Sequence, residues 1–149
     1  MSEHSCKFLS HRNPDVPLKD HLKEVGELCF KYTKKCTDEE RIHETARIIG
    51  LCHDLGKYTE YFQAHLNGEK VKGDLYKHSR LSAVLTAWLV KKRTSNPFLA
   101  LASFNCIASH HGTLKDLHEI KTILKNLSSN QNSPLMKQIN SITKNLPII

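Results

Sequence analysis

Apolar residues recur three and four positions apart along almost the whole of this 149-residue sequence, and β-branched alternation is nearly absent. That period belongs to helices with one buried face, so the chain reads as all-α, a bundle of about six to seven helices. Pro17 opens the first stripe, Leu18, Leu22, Val25, Leu28 and Tyr32, predicting a helix over residues 17 to 35 behind a polar arm. "TDEE" reads as a capping box, with Thr37 as cap and Glu40 three residues on, ahead of Ile42, Ala46 and Ile49 and a stop at Gly56. Tyr58, Tyr61, Phe62 and Leu66 predict a short helix, and "EKVKGDLYK" a basic loop. Leu81, Leu85, Trp88 and Leu89 define the next helix, which ends on Lys91, Lys92 and Arg93. Asn96-Pro97 starts another through Leu99, Ala102 and Cys106 to Gly112, followed by a stripe of Leu117, Ile120, Leu124 and Leu127 and a last helix from Leu135.

Extended by their own period, four of these stripes run into histidine. His21 shares a face with Val25 and Leu28, His53 continues Ile42, Ala46 and Ile49, His78 begins the face of Leu81 and Leu85, and His110 continues Leu99, Ser103 and Cys106. A single inward imidazole is more often a hydrogen-bonded core residue than a ligand; several aimed at one core point to a metal. His53-Asp54 and His110-His111 both lie at predicted helix ends, each with a glycine close behind that lets backbone or ligand approach. Histidine and carboxylate without thiolate suit a hydrolytic transition-metal site, and Asp54 is the natural bridge between two ions. Lys57 reads either as a cation for a phosphate oxygen or as an exposed lysine at a helix end. His4, His11, His43, His65 and His118 lack comparable support. Tyr58, Tyr61, Phe62 and Tyr76 read as core more readily than as base-stacking platforms, and Lys70, Lys72 and Lys77 as a solvated loop at least as readily as a phosphate track.

The length suits one domain, residues 1–149. Five cysteines without a CxxC pair argue against disulfides or a thiolate zinc site and read as small core residues. A net charge of +7 favours an anionic partner such as nucleic acid. No apolar run is long enough to span a bilayer and the N-terminus is too polar for a signal peptide, so the expected location is cytoplasmic, with no membrane partner.

The words "HDLGK", "FQAHL", "HSRLSA" and "ASHHG", in that order, resemble the HD nuclease domain of the CRISPR-associated helicase-nuclease of type I systems, a branch of the HD metal-dependent phosphohydrolases. The resemblance runs from about His21 to Gly112. It implies an all-helical domain around a dinuclear site that cuts single-stranded DNA beside a helicase and downstream of a target-surveillance complex. The implied cofactors are two divalent transition-metal ions (manganese, cobalt, nickel or iron, with magnesium or zinc as alternatives). Carried over by position, His21, His53 and Asp54 hold the first ion, and Asp54 bridges to a second held by His78, His110 and His111. Asp54 and Lys57 are the implied catalytic pair, Lys57 on the scissile phosphate or the attacking water. The superfamily usually completes its first metal site with an aspartate from a helix well downstream, whereas here the only acids past Gly112 are Asp116 and Glu119. The expectation is either a chain that continues beyond Ile149 or a first site finished by water. Two other readings are an HD phosphohydrolase acting on a nucleotide or cyclic nucleotide, and a degenerate, non-catalytic HD module.

Overall fold

Hydrophobic stripes this regular fold as helices, and seven are present in the computed structural model, which describes residues 8–128 and 133–145. They are α1 (Leu18–Thr33), α2 (Glu40–Cys52), α3 (Glu60–Leu66), α4 (Ser79–Thr94), α5 (Pro97–Ala108), α6 (Leu117–Ser128) and α7 (Pro134–Asn145), with a 3-10 helix at Leu55–Tyr58 between α2 and α3. Part of the arm expected to be merely polar instead pairs as a two-stranded antiparallel ribbon, β1 (Leu9–His11) with β2 (Val16–Pro17). None of the described helices is long and apolar enough to cross a membrane.

Two helix pairs, α1 with α2 and α4 with α5, make up most of the packing, and α7 lies against α3, α4 and the 3-10 helix. One apolar cluster joins Ala83 of α4 to Phe104 and Ile107 of α5 and Ile120 of α6; a second joins Leu81 of α4 to Leu135 and Ile142 of α7. The crossing of α1 and α2 is set by glycine. A Cβ on Gly50 would lie 2.7 Å from both the Gly26 Cα and the Val25 carbonyl oxygen, closer than any side chain tolerates. The helices therefore meet backbone to backbone, which sets His21 of α1 beside His53 at the end of α2.

Several sequence expectations are corrected. The TDEE capping box does not form, because the Thr37 hydroxyl accepts from the Glu39 amide, and α2 begins at Glu40 with no side-chain cap. The same α2 ends at Cys52 rather than at Gly56, which sits in the 3-10 helix. Trp88 is 61% exposed, as the buried face of α4 runs through Leu81, Ala83, Thr86 and Val90, and Leu117 and Tyr32 are also largely exposed. Cys106 and Cys36 are exposed rather than core, Cys52 is buried, and α5 turns Ser103, Phe104 and Ile107 inward instead. His43 is buried, but its Nε2 lies 2.7 Å from the Thr37 carbonyl oxygen, so it is a satisfied structural histidine. His4, Cys6 and the Leu127 side chain lie outside the described residues.

The glycine crossing yields a test of sign. Gly50→Ala should gain about 1 kcal/mol of helix propensity, yet the overlap with α1 costs about 1–3 kcal/mol as overpacking, so urea unfolding should show a net loss. A more stable variant would show that the two helices do not meet at Gly50.

Candidate metal centre

Asp54 is the residue around which the centre is built. It follows the last turn of α2 and immediately precedes the 3-10 helix, its carbonyl accepting from the Lys57 amide at 2.9 Å. Its side chain is buried at 5% exposure, where a lone carboxylate would be severely desolvated. Five side chains converge on it. On one side Oδ2 lies 3.4 Å from His21 Nε2, 3.3 Å from His53 Nε2 and 2.8 Å from Lys57 Nζ. On the other, Oδ1 lies 2.9 Å from His78 Nε2 and 3.3 Å from His110 Nε2. His111 completes the ring at one remove, its Nε2 3.0 Å from that of His78.

Local chemistry holds each imidazole. His53 Nδ1 donates to the Gly50 carbonyl at 2.8 Å, and His110 Nδ1 to that of Ile107 at 2.6 Å. A ring that spends its Nδ1 proton on a backbone carbonyl presents the Nε2 lone pair when neutral. His78, the residue just before α4, is fixed by Ser82, whose amide and hydroxyl both donate to the His78 carbonyl at 3.0 Å. The same hydroxyl accepts from the Gly56 amide at 2.9 Å, latching the 3-10 helix to the start of α4. Gly56 has to be glycine, since a Cβ there would lie 2.5 Å from the His78 oxygen. Gly112, expected to allow a similar approach, has no neighbour within 4 Å of such a Cβ.

Lys57 is not an exposed helix-end lysine. It is 12% exposed, and besides Asp54 its ammonium reaches the Ser10 carbonyl at 3.2 Å and hydroxyl at 3.4 Å, with the Phe62 ring centroid 5.2 Å away. Gln63 ties that strand down: its amide nitrogen donates to the carbonyls of Leu9 and Lys57, and its oxygen accepts from the Leu9 amide. Ser10, Ser82 and Gln63 escaped the sequence reading, although Ser82 and Gln63 stand inside the words HSRLSA and FQAHL.

Charge and burial oppose each other here. Burial alone would raise the Asp54 carboxyl pKa, but His110, His53, His78 and Lys57 outweigh it and hold the group ionised, far below the ordinary carboxylate range. Burial lowers His78; at His21 the neighbouring His53 adds to burial, and at His111 so do His110 and His78. His110 moves upward, because Asp54 and the Ile107 carbonyl together outweigh its burial. Lowered imidazoles are neutral at neutral pH, and neutral imidazoles are metal ligands.

The donor set fits divalent cations. Buried Asp54 Oδ1 has no hydrogen-bond partner among the described residues despite two nitrogens close by, an orphaned anion that calls for a cation. The donors fall into two groups sharing Asp54: His21, His53 and Asp54, and Asp54, His78, His110 and His111. Within them the His21 and His53 Nε2 atoms are 3.2 Å apart and those of His78 and His111 3.0 Å, spacings that suit two nitrogens each about 2.1 Å from one ion. All six residues expected as ligands are thus brought together, with Lys57 against the shared carboxylate. His43 is turned elsewhere, and His65 lies near His78 without joining either group. Nor does any acid from α6 or α7 join among the described residues. Asp116 and Glu119 instead cap α6 reciprocally, each backbone amide donating to the other's carboxylate at 2.9 and 2.8 Å. The first group has three donors and the second four.

No curated protein and no solved structure shows significant similarity to the chain. A family model does match, described as Cas3, HD domain, over residues 15–145, a span that contains every residue of the ring. Helical architecture, converging histidines and this match agree, and the chain belongs to the Cas3 HD-domain family of type I CRISPR systems.

Proposed function

We propose that the chain is a metal-dependent phosphodiesterase that cleaves single-stranded DNA, working with a CRISPR-associated helicase and target-surveillance complex in the cytoplasm. The observation that carries this reading is the single buried carboxylate with a histidine group on each oxygen. His21, His53 and Asp54 would hold one divalent cation, and Asp54, His78, His110 and His111 the other. Two such ions supply Lewis-acid activation of water and neutralisation of charge on the phosphodiester. The protein contributes position: the backbone carbonyls of Gly50 and Ile107 fix the ring faces of His53 and His110, and Ser82 fixes the backbone of His78. No covalent intermediate is called for, as the histidines that could activate a nucleophile would be engaged as metal ligands. Duplex DNA keeps its phosphates on a stiff outer surface, whereas a single strand can bend into a recessed centre, which gives a strand-separating partner its physical purpose.

Lys57 would act mainly through Asp54. Its ammonium is already engaged by Oδ2 and Ser10, so it orients the bridging carboxylate and keeps it ionised. Direct contact with the scissile phosphate would require one of those bonds to be given up.

Two outcomes follow. Single-stranded DNA should be cut in preference to duplex in manganese, cobalt or nickel, and chelator should abolish cutting; turnover of free nucleotides with DNA left intact would favour the nucleotide phosphohydrolase reading. Lys57→Gln should slow cleavage by roughly 10²-fold, the scale for losing one preorganised charge interaction, with bound metal retained and Lys57→Arg partly restoring the rate. A Lys57→Gln enzyme at full rate would remove the lysine from the mechanism.

A further inference from the structure

A recess of about 390 Å³ opens beside the second histidine group, sharing His78 and His111 with it. Its size falls within the range of small-ligand sites. Its other walls are the aromatic Phe62, His65 and Tyr76 together with Lys77 and Ser79. The rings of His65 and Tyr76 stack with centroids 4.1 Å apart and planes 24° apart, and Phe62 sets its ring edge-on to His78 at 5.1 Å. Tyr76 stands in the loop between α3 and α4, yet it is held in place. Gln138 of α7, itself 3% exposed, donates from its side-chain nitrogen to the carbonyls on either side of Tyr76, Leu75 at 2.7 Å and Lys77 at 2.8 Å.

We propose that this recess seats a nucleobase of the strand, from a nucleotide next to the phosphate at the metal centre. The proposal rests on the DNA reading above and deepens it. Three observations support a base over a further phosphate. The walls carry aromatic rings, among them the stacked pair of His65 and Tyr76, which leaves each ring one face for a base. The Lys77 ammonium is paired with Asp74 at 2.9 Å, which blunts its pull on an anion. The pinned loop presents Tyr76 without an ordering cost at binding. Stacking on aromatic rings tolerates any base, as a nuclease indifferent to sequence requires.

The test measures binding separately from cleavage. The anisotropy of a labelled oligothymidylate is titrated with the full chain in calcium, with gels confirming that the strand stays intact, and repeated with a strand of the same length lacking bases. Tyr76→Ala and His65→Ala should each weaken binding of the oligothymidylate by roughly 10-fold, the factor that loss of one base–aromatic stack implies. Tyr76→Phe should bind as wild type, and the base-free strand should not distinguish any of the four proteins. His65→Ala leaves the Gln138-held loop backbone untouched, so it carries the test even where Tyr76→Ala fails to fold. The proposal is overturned if His65→Ala binds the oligothymidylate like wild type, if the loss is equal on the base-free strand, or if the wild-type chain binds neither strand. Base-dependent binding by a manganese-loaded protein that leaves DNA uncut would uphold the recess and defeat the catalytic reading alone.

Discussion

One buried carboxylate organises this molecule. Asp54 is ionised at 5% exposure, and such a charge persists in a protein interior only when opposite charge or lone-pair-bound cations surround it. Lys57 supplies one positive charge to Oδ2 and leaves Oδ1 with nitrogens but no hydrogen bond. Divalent cations between the carboxylate and the imidazoles would satisfy Oδ1 and replace these contacts with a set of coordinate bonds. Binding and folding are then coupled, since the ring of histidines is most stable when loaded.

The rest of the fold can be understood as what it takes to bring five separate segments to one carboxylate. The backbone contact at Gly50 draws α1 and α2 together, so that His21 meets His53. Gly56 and Ser82 fasten the 3-10 helix to α4, so that Asp54 meets His78. The end of α5 delivers His110 and His111 by way of the Ile107 carbonyl, and Gln63 secures the ribbon that carries Ser10 to Lys57. These contacts are short and involve backbone on at least one side, which makes them stiff. A centre that must hold ligands to within a fraction of an ångström needs that stiffness more than it needs a large core.

Much of the centre was legible in sequence because helical period constrains direction. Four stripes extended into His21, His53, His78 and His110, and all four converge on Asp54. His111 and the role of Lys57 came from the family resemblance, as no period singles out the second of two adjacent histidines. The helical class was readable for the same reason, whereas the finer packing was not. Trp88 and Cys106 fell on the wrong side of their helices because a stripe is about 100° wide and apolar residues at its edge can face either way. Thr37 offered a convincing cap, but the His43 imidazole took its carbonyl and its hydroxyl turned to Glu39, choices that depend on tertiary neighbours. In sequence Tyr76 and Phe62, weighed as base-stacking residues, read as core for a related reason: nothing local links Gln138 to a loop some sixty residues earlier.

The central claim is that Asp54 is shared between two cations, and its most direct measurement is metal stoichiometry on the purified chain. Elemental analysis after loading with manganese and desalting, paired with anomalous diffraction from a loaded crystal, should find two ions per chain, one on each carboxylate oxygen. The second group should be at least as full as the first, because it has four protein donors against three. Asp54→Ala should lose both ions together. Loss of one ion only, or no ion within bonding distance of Asp54 in the wild-type crystal, would contradict the account.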